Sequence, residues 1–300
     1  MKSVKKAIFP VGGLGTRFLP ATKSVPKEML PVAAKPLVQY AYEEARQAGI
    51  EQCIFVTGRN KNAINNHFNH AFELQSVLSE NEKKDMLDKV ASWLPNPGQV
   101  MFIPQQDPAG LGHAIWCARH AIGNEPFAVI LPDEMVLHKK GALSQMMDAY
   151  KKYGGNVLAV AEVAKEDTSK YGILDIEKEI SDTVVQARAM VEKPEPDEAP
   201  SNLSLTGRYI LQPEIFDYLD KHQRKHKSGD GEIQLTDAME SMLKYSPFYG
   251  CKFEGKRFDC GSLVGFLDAC IAYSLEDKEV AKQVQEMLVK YNESEVRKAS

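Results

Sequence analysis

No apolar run in this chain approaches the roughly 20 residues that a helix needs to cross a bilayer. The N-terminus is basic, but the apolar stretch after Lys6 breaks at Pro10 and Gly12, too soon for a secretory leader. Cysteine is scarce and scattered: Cys53, Cys117, Cys251, Cys260 and Cys270 form no CxxC pair, and the count is odd. That pattern argues against a disulfide framework and against a structural zinc site, and reads as reduced thiols in a cytoplasmic protein. Neither sign of charge dominates. The 37 basic and 41 acidic residues leave a net charge of −4. A broad nucleic-acid-binding face is therefore not expected, although a small basic pocket is compatible with this balance. No repeat, low-complexity tract or linker divides the 300 residues, which suffice for one large α/β domain or two smaller ones.

The dense feature lies near the start. Ala7 to Val11 reads as a buried strand, followed by Gly12-Gly13-Leu14-Gly15-Thr16-Arg17 and then Pro26-Lys27-Glu28-Met29-Leu30-Pro31. Glycines bare the backbone, so amide N–H groups can approach an anion, and Arg17 and Lys27 supply positive charge nearby. The string is neither a Walker A sequence nor GxGxxG. Leu37, Tyr40, Ala41, Ala45 and Ala48 share a helical face between Pro36 and Gly49, and Gln52 to Thr57 reads as a second strand. The opening is thus a βαβ unit.

Further on, 61–94 reads as helical but polar, with a solvated helix from Glu80 to Ala91. Val100 to Ile103 is strand-like and leads into Gly110-Leu111-Gly112-His113-Ala114, glycines at a strand-to-helix turn. Phe127 to Leu131, the most apolar strand, ends in Pro132-Asp133-Glu134. A carboxylate there sits at the ligand edge of an open α/β sheet. Helical spacing covers 141–153, and Asn156 to Ala164 is a strand. Beyond it the pattern becomes β-rich, with strand-like runs around 171–176, 184–193 and 204–211 and no helix between the first two. The run 222–231 is basic, then turn-like, and reads as a surface loop. Arg59 and the charges of 221–227 read as solvated. The tail from 262 to 296 is helical, suited to packing on the core or to self-association.

Taken together, these pieces resemble the bacterial UTP–glucose-1-phosphate uridylyltransferases (UDP-glucose pyrophosphorylases). The resemblance rests on the glycine loop with Pro26 to Pro31, on Gly110 to Ala114, Leu131-Pro132-Asp133 and Val191-Glu192-Lys193-Pro194, and on Asp230 to Asp237 and Phe258-Asp259-Cys260-Gly261. It covers the chain to about residue 275. It implies a Rossmann-like mixed, mostly parallel sheet flanked by helices, with a β-rich sugar-binding insertion and a helical C-terminus. One domain would comprise a nucleotide-binding part over about 1–160, a sugar-binding part over about 161–261, and C-terminal helices over about 262–296. It further implies Mg²⁺-dependent transfer of uridylyl from UTP to glucose 1-phosphate, no nucleic-acid or membrane partner, and a homo-oligomer, dimer or tetramer.

The residue roles come from the same resemblance. Gly12 and Gly13 would lie against the nucleotide, with Gly15, Thr16 and Arg17 around the triphosphate. Lys27 would hold phosphate, while Glu28, Gln106 and Gly112 would meet the uracil. Asp133 and Asp259 would hold the metal. Gly172 and Glu192 would contact glucose hydroxyls, and Lys193 the sugar phosphate. Three departures from the family pattern stand out. Ala33-Ala34 precedes Lys35-Pro36 where an acidic residue is common. The loop from Gln105 to Ala109 is one residue short, leaving open whether Gln105 or Gln106 meets the base. Glu134 follows Asp133 where an apolar residue is usual. A thymidylyltransferase and a non-catalytic regulatory paralogue are the competing readings. The intact loop residues Thr16 and Arg17 speak against the second.

Overall fold

The computed structural model describes residues 2–226 and 231–299. Lys227 to Asp230, the turn-like end of the basic run and the first residue of the Asp230 to Asp237 stretch, lie outside the described residues. In chain order the strands are β1 (Lys6–Val11), β2 (Pro31–Val32), β3 (Lys35–Pro36), β4 (Gln52–Thr57), β5 (Val100–Pro104), β6 (Phe127–Ile130), β7 (Glu134–Leu137), β8 (Asn156–Glu162), β9 (Gly172–Ser181), β10 (Val184–Glu192), β11 (Leu203–Leu211), β12 (Phe248–Lys252) and β13 (Lys256–Asp259). The helices are α1 (Leu37–Gln47), α2 (Asn62–His67), α3 (Phe72–Glu80), α4 (Lys84–Ala91), α5 (Leu111–Cys117), α6 (Arg119–Ile122), α7 (Ala142–Tyr153), α8 (Ile215–Lys225), α9 (Leu235–Leu243), α10 (Leu263–Glu276) and α11 (Ala281–Ala299). None of the helices among the described residues is long and apolar enough to cross a membrane.

Nine strands form one sheet in the order β5-β4-β1-β6-β11-β8-β12-β10-β9. The strands β5, β4, β1 and β6 run parallel, as the βαβ opening requires. The next strand in the sheet, β11, joins β6 antiparallel, and β12 pairs β8 in parallel. The β-rich segment therefore does not stand apart: β9, β10 and β11 continue the same sheet. Side chains alternate across it. Ile8, Ile54 and Val129 face a core shared with α5, α8 and α9, while Phe9, Phe55 and Ile130 face one shared with α1 and α7. Both faces are covered, which is why these strands read as continuous apolar runs.

One local expectation changes, and one pairing is new. The polar helix expected from Glu80 to Ala91 is divided, because α3 ends at Glu80 and Glu82 adopts a left-handed φ of 55° before α4 begins. And β7 pairs antiparallel with β13 in a ribbon off the main sheet, aligning Asp259 with Glu134 and Arg257 with Val136. A third, smaller core lies under this ribbon, where Phe258 and Cys260 meet Phe266, Cys270 and Tyr273 around the first helix of the tail.

Candidate active site

The parallel strands β1, β4, β5 and β6 all end at one edge, and the site is built from the segment after each. Gly12 leaves β1 where β4 has just ended at Thr57. A Cβ on Gly12 would lie 2.8 Å from Gln105 Oε1, and one on Gly58 would lie 3.0 Å from the Gly12 carbonyl. A side chain at either position would displace the Gln105 amide or press on the Gly12 backbone. Gly15 then turns the chain with φ 65°, and Thr22 Oγ1 donates to its carbonyl at 2.7 Å. A side chain there would also press on Lys27, whose Cβ would be 3.1 Å away. The turn sets Thr16, Arg17 and Phe18 in a short 3₁₀ helix, with Thr16 and Arg17 exposed.

Two ion pairs hold this loop. Lys27 donates to Asp133 Oδ2. Burial pushes the Lys27 ammonium down, but Asp133 and Glu28 pull it further up, so the net shift is upward. For Asp133, burial raises the carboxyl and Lys27 more than reverses this, leaving it below its usual value. Both partners are held charged. The second pair is deeper. Lys61 Nζ donates to Glu28 Oε2 at 2.8 Å and to the Gly13 carbonyl at 2.7 Å. The Glu28 side chain is only 1% exposed and that of Lys61 8%. The other Glu28 oxygen, Oε1, is buried without a hydrogen-bond partner. Burial raises the Glu28 carboxyl, partly offset by Lys61 and Lys27.

The β7–β13 ribbon brings Asp259 to Asp133 across more than a hundred residues of sequence. The Cys260 N–H donates to the Asp133 carbonyl at 2.7 Å, and the Gly261 N–H to Asp259 Oδ1 at 2.9 Å. A Cβ on Gly261 would lie 2.9 Å from Asp259 Oδ1, 3.4 Å from Asp133 Oδ2 and 3.5 Å from Arg17 Nη1. Two carboxylates and a guanidinium thus bound one small space that a glycine keeps open. Among the described residues there is no cluster of three or more His, Cys, Asp or Glu side chains suited to a metal.

A second group of side chains lies beside the first. Gly172 opens β9 and pairs with Glu192 at the end of β10. A Cβ on Gly172 would meet Leu205 Cδ1 at 3.1 Å and Glu192 Oε2 at 3.2 Å. Thr236 Oγ1 donates to that same Glu192 oxygen at 2.7 Å. Lys193 has a left-handed φ of 48°, and its Nζ is 3.3 Å from Glu192 Oε1. Tyr171 joins the two groups: its carbonyl accepts from the Lys193 N–H at 3.1 Å, and its hydroxyl donates to Asp259 Oδ2 at 3.1 Å.

Gln106 is exposed, whereas Gln105 is buried against Gly12. The reason is register: the Gln105 N–H still bonds the Thr57 carbonyl at 2.7 Å, so β4 turns that side chain inward. Gln105 Nε2 bonds the Gly110 carbonyl and lies 3.1 Å from His113 Nδ1. Burial lowers the His113 pKa, with partial recovery from the Asp107 carbonyl. Gly112 packs on Ile233: its N–H donates to the Ile233 carbonyl at 2.8 Å, and a Cβ would be 2.7 Å from that oxygen. Sequence reasoning missed Lys61, Tyr171, Thr236 and Arg257. Lys61 is hidden among asparagines, and only its burial reveals it.

The family model described as Nucleotidyl transferase matches residues 6–275. A UTP–glucose-1-phosphate uridylyltransferase of Komagataeibacter xylinus is 48% identical over 264 residues, 88% of this chain and 92% of that protein. The structure of UTP-bound UGPase from Acinetobacter baumannii superposes with a TM-score of 0.87 at 37% identity, covering 96% of this chain and 99% of that one. A UDP-glucose pyrophosphorylase complexed with UDP-glucose gives a TM-score of 0.82 at 41% identity, covering 92% and 100% respectively. The chain belongs to the nucleotidyl transferase family, in its group of UTP–glucose-1-phosphate uridylyltransferases.

Proposed function

We propose that this enzyme transfers the uridylyl group of UTP to glucose 1-phosphate, releasing pyrophosphate and UDP-glucose. The observation that carries the reading is the small space beside Gly261, where Asp133, Asp259 and Arg17 converge between the glycine loop and the Glu192–Lys193 group. Gly12, Gly13, Gly15, Thr16 and Arg17 would cradle the triphosphate. Lys27 would exchange its carboxylate partner for phosphate oxygens, and Lys193 would hold the sugar phosphate. Gly172 and Glu192 would meet the glucose hydroxyls. The buried and unpartnered Glu28 Oε1 supports a base-recognition role, as does the inward side chain of Gln105, which replaces Gln106 in this proposal. Gly112 supports that pocket through its contact with Ile233.

The nucleophile is a phosphate oxygen, and with a second pKa of about 6 it is mostly ionised at neutral pH. No general base is needed. The obstacle is the approach of two polyanions. Two like unit charges ~4 Å apart cost ~4 kcal/mol at an effective dielectric near 20. Arg17, Lys27 and Lys193 answer this by placing fixed positive charge where the two substrates meet. Asp133 and Asp259 fit a divalent cation, Mg²⁺ in this proposal: it takes one or two carboxylates and leaves its other positions to water and phosphate. Bound there, it would neutralise phosphate charge and polarise the phosphoryl oxygens. The step is a direct displacement with no covalent enzyme intermediate.

The nucleotide part would span about 1–160, the sugar part about 161–261 and the C-terminal helices about 262–296. Five free thiols support a cytoplasmic setting. Homo-oligomerisation is supported by α10, which buries Ala269 and half-buries Phe266 and Tyr273 but leaves Leu263, Val264 and Leu267 58%, 78% and 52% exposed. Purified protein with Mg²⁺ and glucose 1-phosphate should release pyrophosphate with UTP and far less with dTTP. Faster release with dTTP would make it a thymidylyltransferase. Nucleotide binding without release would make it a regulatory paralogue.

A further inference from the structure

Glu134, one of the three departures from the family pattern, has a specific partner. Arg257 reaches across the ribbon, and its Nε and Nη2 donate to Glu134 Oε2 and Oε1 at 2.7 and 2.9 Å. The side chains are 14% and 12% exposed. A bidentate fork fixes the plane of a guanidinium. That plane lies over Tyr171, with the Arg257 Cζ 4.5 Å from the ring centroid. The Tyr171 hydroxyl in turn donates to Asp259 Oδ2 at 3.1 Å, while Gly261 holds Oδ1. Each Asp259 oxygen accepts one hydrogen bond and keeps lone-pair capacity for a cation. The Tyr171 carbonyl also anchors Lys193 in its left-handed conformation.

We propose that Tyr171, clamped by the Glu134–Arg257 pair, is a positioning residue that sets the orientation of Asp259 and couples it to Lys193. The metal side and the sugar-phosphate side of the site are thereby aligned through one side chain and its own backbone. A pair that only stapled the ribbon would need just β7 and β13. The stacked ring and the hydroxyl contact extend the chain of contacts beyond the ribbon, to the start of β9. This inference rests on the proposed uridylyltransferase reading, in which Asp259 is a metal ligand.

The test is Tyr171→Phe, which keeps the ring and its stacking and deletes only the hydroxyl. Mn²⁺ binding to the protein with UTP, followed by the electron paramagnetic resonance signal of free Mn²⁺, should weaken about tenfold, the scale of one lost hydrogen bond to a charged group. Binding of UTP in EDTA and the urea midpoint should stay within twofold and within error of the wild type. The KM for glucose 1-phosphate should rise more than kcat falls. Arg257→Lys, which keeps the charge but not the planar fork, should weaken Mn²⁺ binding in the same direction. Mn²⁺ affinity within twofold of wild type in Tyr171→Phe would overturn the proposal. The same result in Arg257→Lys would overturn the clamp. If the wild type itself neither bound Mn²⁺ with UTP nor formed UDP-glucose, the functional reading would fail first, and the wild-type control separates that case.

Discussion

Replacing Lys61 by methionine should destabilise the protein by about 3–5 kcal/mol at neutral pH, the range for removing one partner of a buried ion pair. The magnitude comes from the groups that the change leaves behind. Methionine occupies similar length but donates nothing. Glu28, 1% exposed, would keep its charge with neither oxygen paired to an ammonium, since Oε1 has no partner to begin with. The Gly13 carbonyl would lose its 2.7 Å donor as well. Much of this cost can be relieved by protonation, which makes the prediction pH-dependent. Burial already holds the Glu28 carboxyl above its usual 4.5, with Lys61 as the main opposing influence. Without Lys61 the carboxyl must rise further, each unit corresponding to about 1.4 kcal/mol. A group with a raised folded pKa contributes its full stability below the unfolded value, and that contribution is lost as pH rises through the folded value. The deficit of Lys61→Met should therefore be largest at pH 8 and shrink towards pH 5. Urea melts at several pH values measure it. The double variant Glu28→Gln/Lys61→Met removes both charges and should recover about 2 kcal/mol relative to Lys61→Met alone. A deficit below about 1 kcal/mol at pH 8, or one constant from pH 5 to 8, would refute the reasoning.

Other outcomes rest on the same geometry. Asp133→Ala and Lys193→Ala should each lower turnover about 10²–10³-fold, the scale for removing one preorganised charge contact, with an unchanged circular dichroism spectrum; near-normal turnover in either would break the site map. Gly15→Ala should cost about 1–2 kcal/mol in urea melts, because its φ of 65° suits glycine, and should weaken UTP binding measured by calorimetry. Leu267→Asp on the exposed stripe of α10 should convert an oligomer to monomer in sedimentation; an unchanged sedimentation coefficient would move the interface elsewhere.

The parts of this site that sequence made legible are those specified locally. The β1 strand, the glycine turn and α1 carry their own period and punctuation, and Gly49 does close the helix with φ 87°. The apolar run of β6 announces a central strand, and Asp133 lies just past its end, after Leu131 and Pro132. The features that were not legible depend on partners far along the chain. In β7, Glu134-Met135-Val136-Leu137 is short and lacks alternation, and its pairing with β13 is decided more than a hundred residues away. The same holds for Gln105 against Gln106. Period two says one of them faces inward, but which one depends on how far the ladder with β4 continues. Gly112 reads as a ligand-facing glycine by analogy with Gly12, and the atoms nearest a Cβ there belong to Ile233 and Leu219.

The charges of the site show why these long-range pairings matter. Lys27 is held by Asp133, Lys61 by Glu28 and Lys193 by Glu192, while Arg17 makes no ion pair among the described residues. Burying a bare cation to await a substrate would be costly. In the proposed mechanism, Asp133 and Glu192 hold the Lys27 and Lys193 ammonium groups in place until phosphate would arrive. The three pairs are not equivalent. Lys193–Glu192 is 3.3 Å long with Lys193 54% exposed, so it exchanges easily, as its proposed contact with a sugar phosphate requires. Lys27–Asp133 is more buried and releases a carboxylate when its ammonium leaves, so the binding of phosphate by Lys27 would free Asp133 for a cation. Lys61–Glu28 is the deepest, and its lysine also bonds the Gly13 backbone. That pair has no reason to open. It fixes the glycine loop through Gly13.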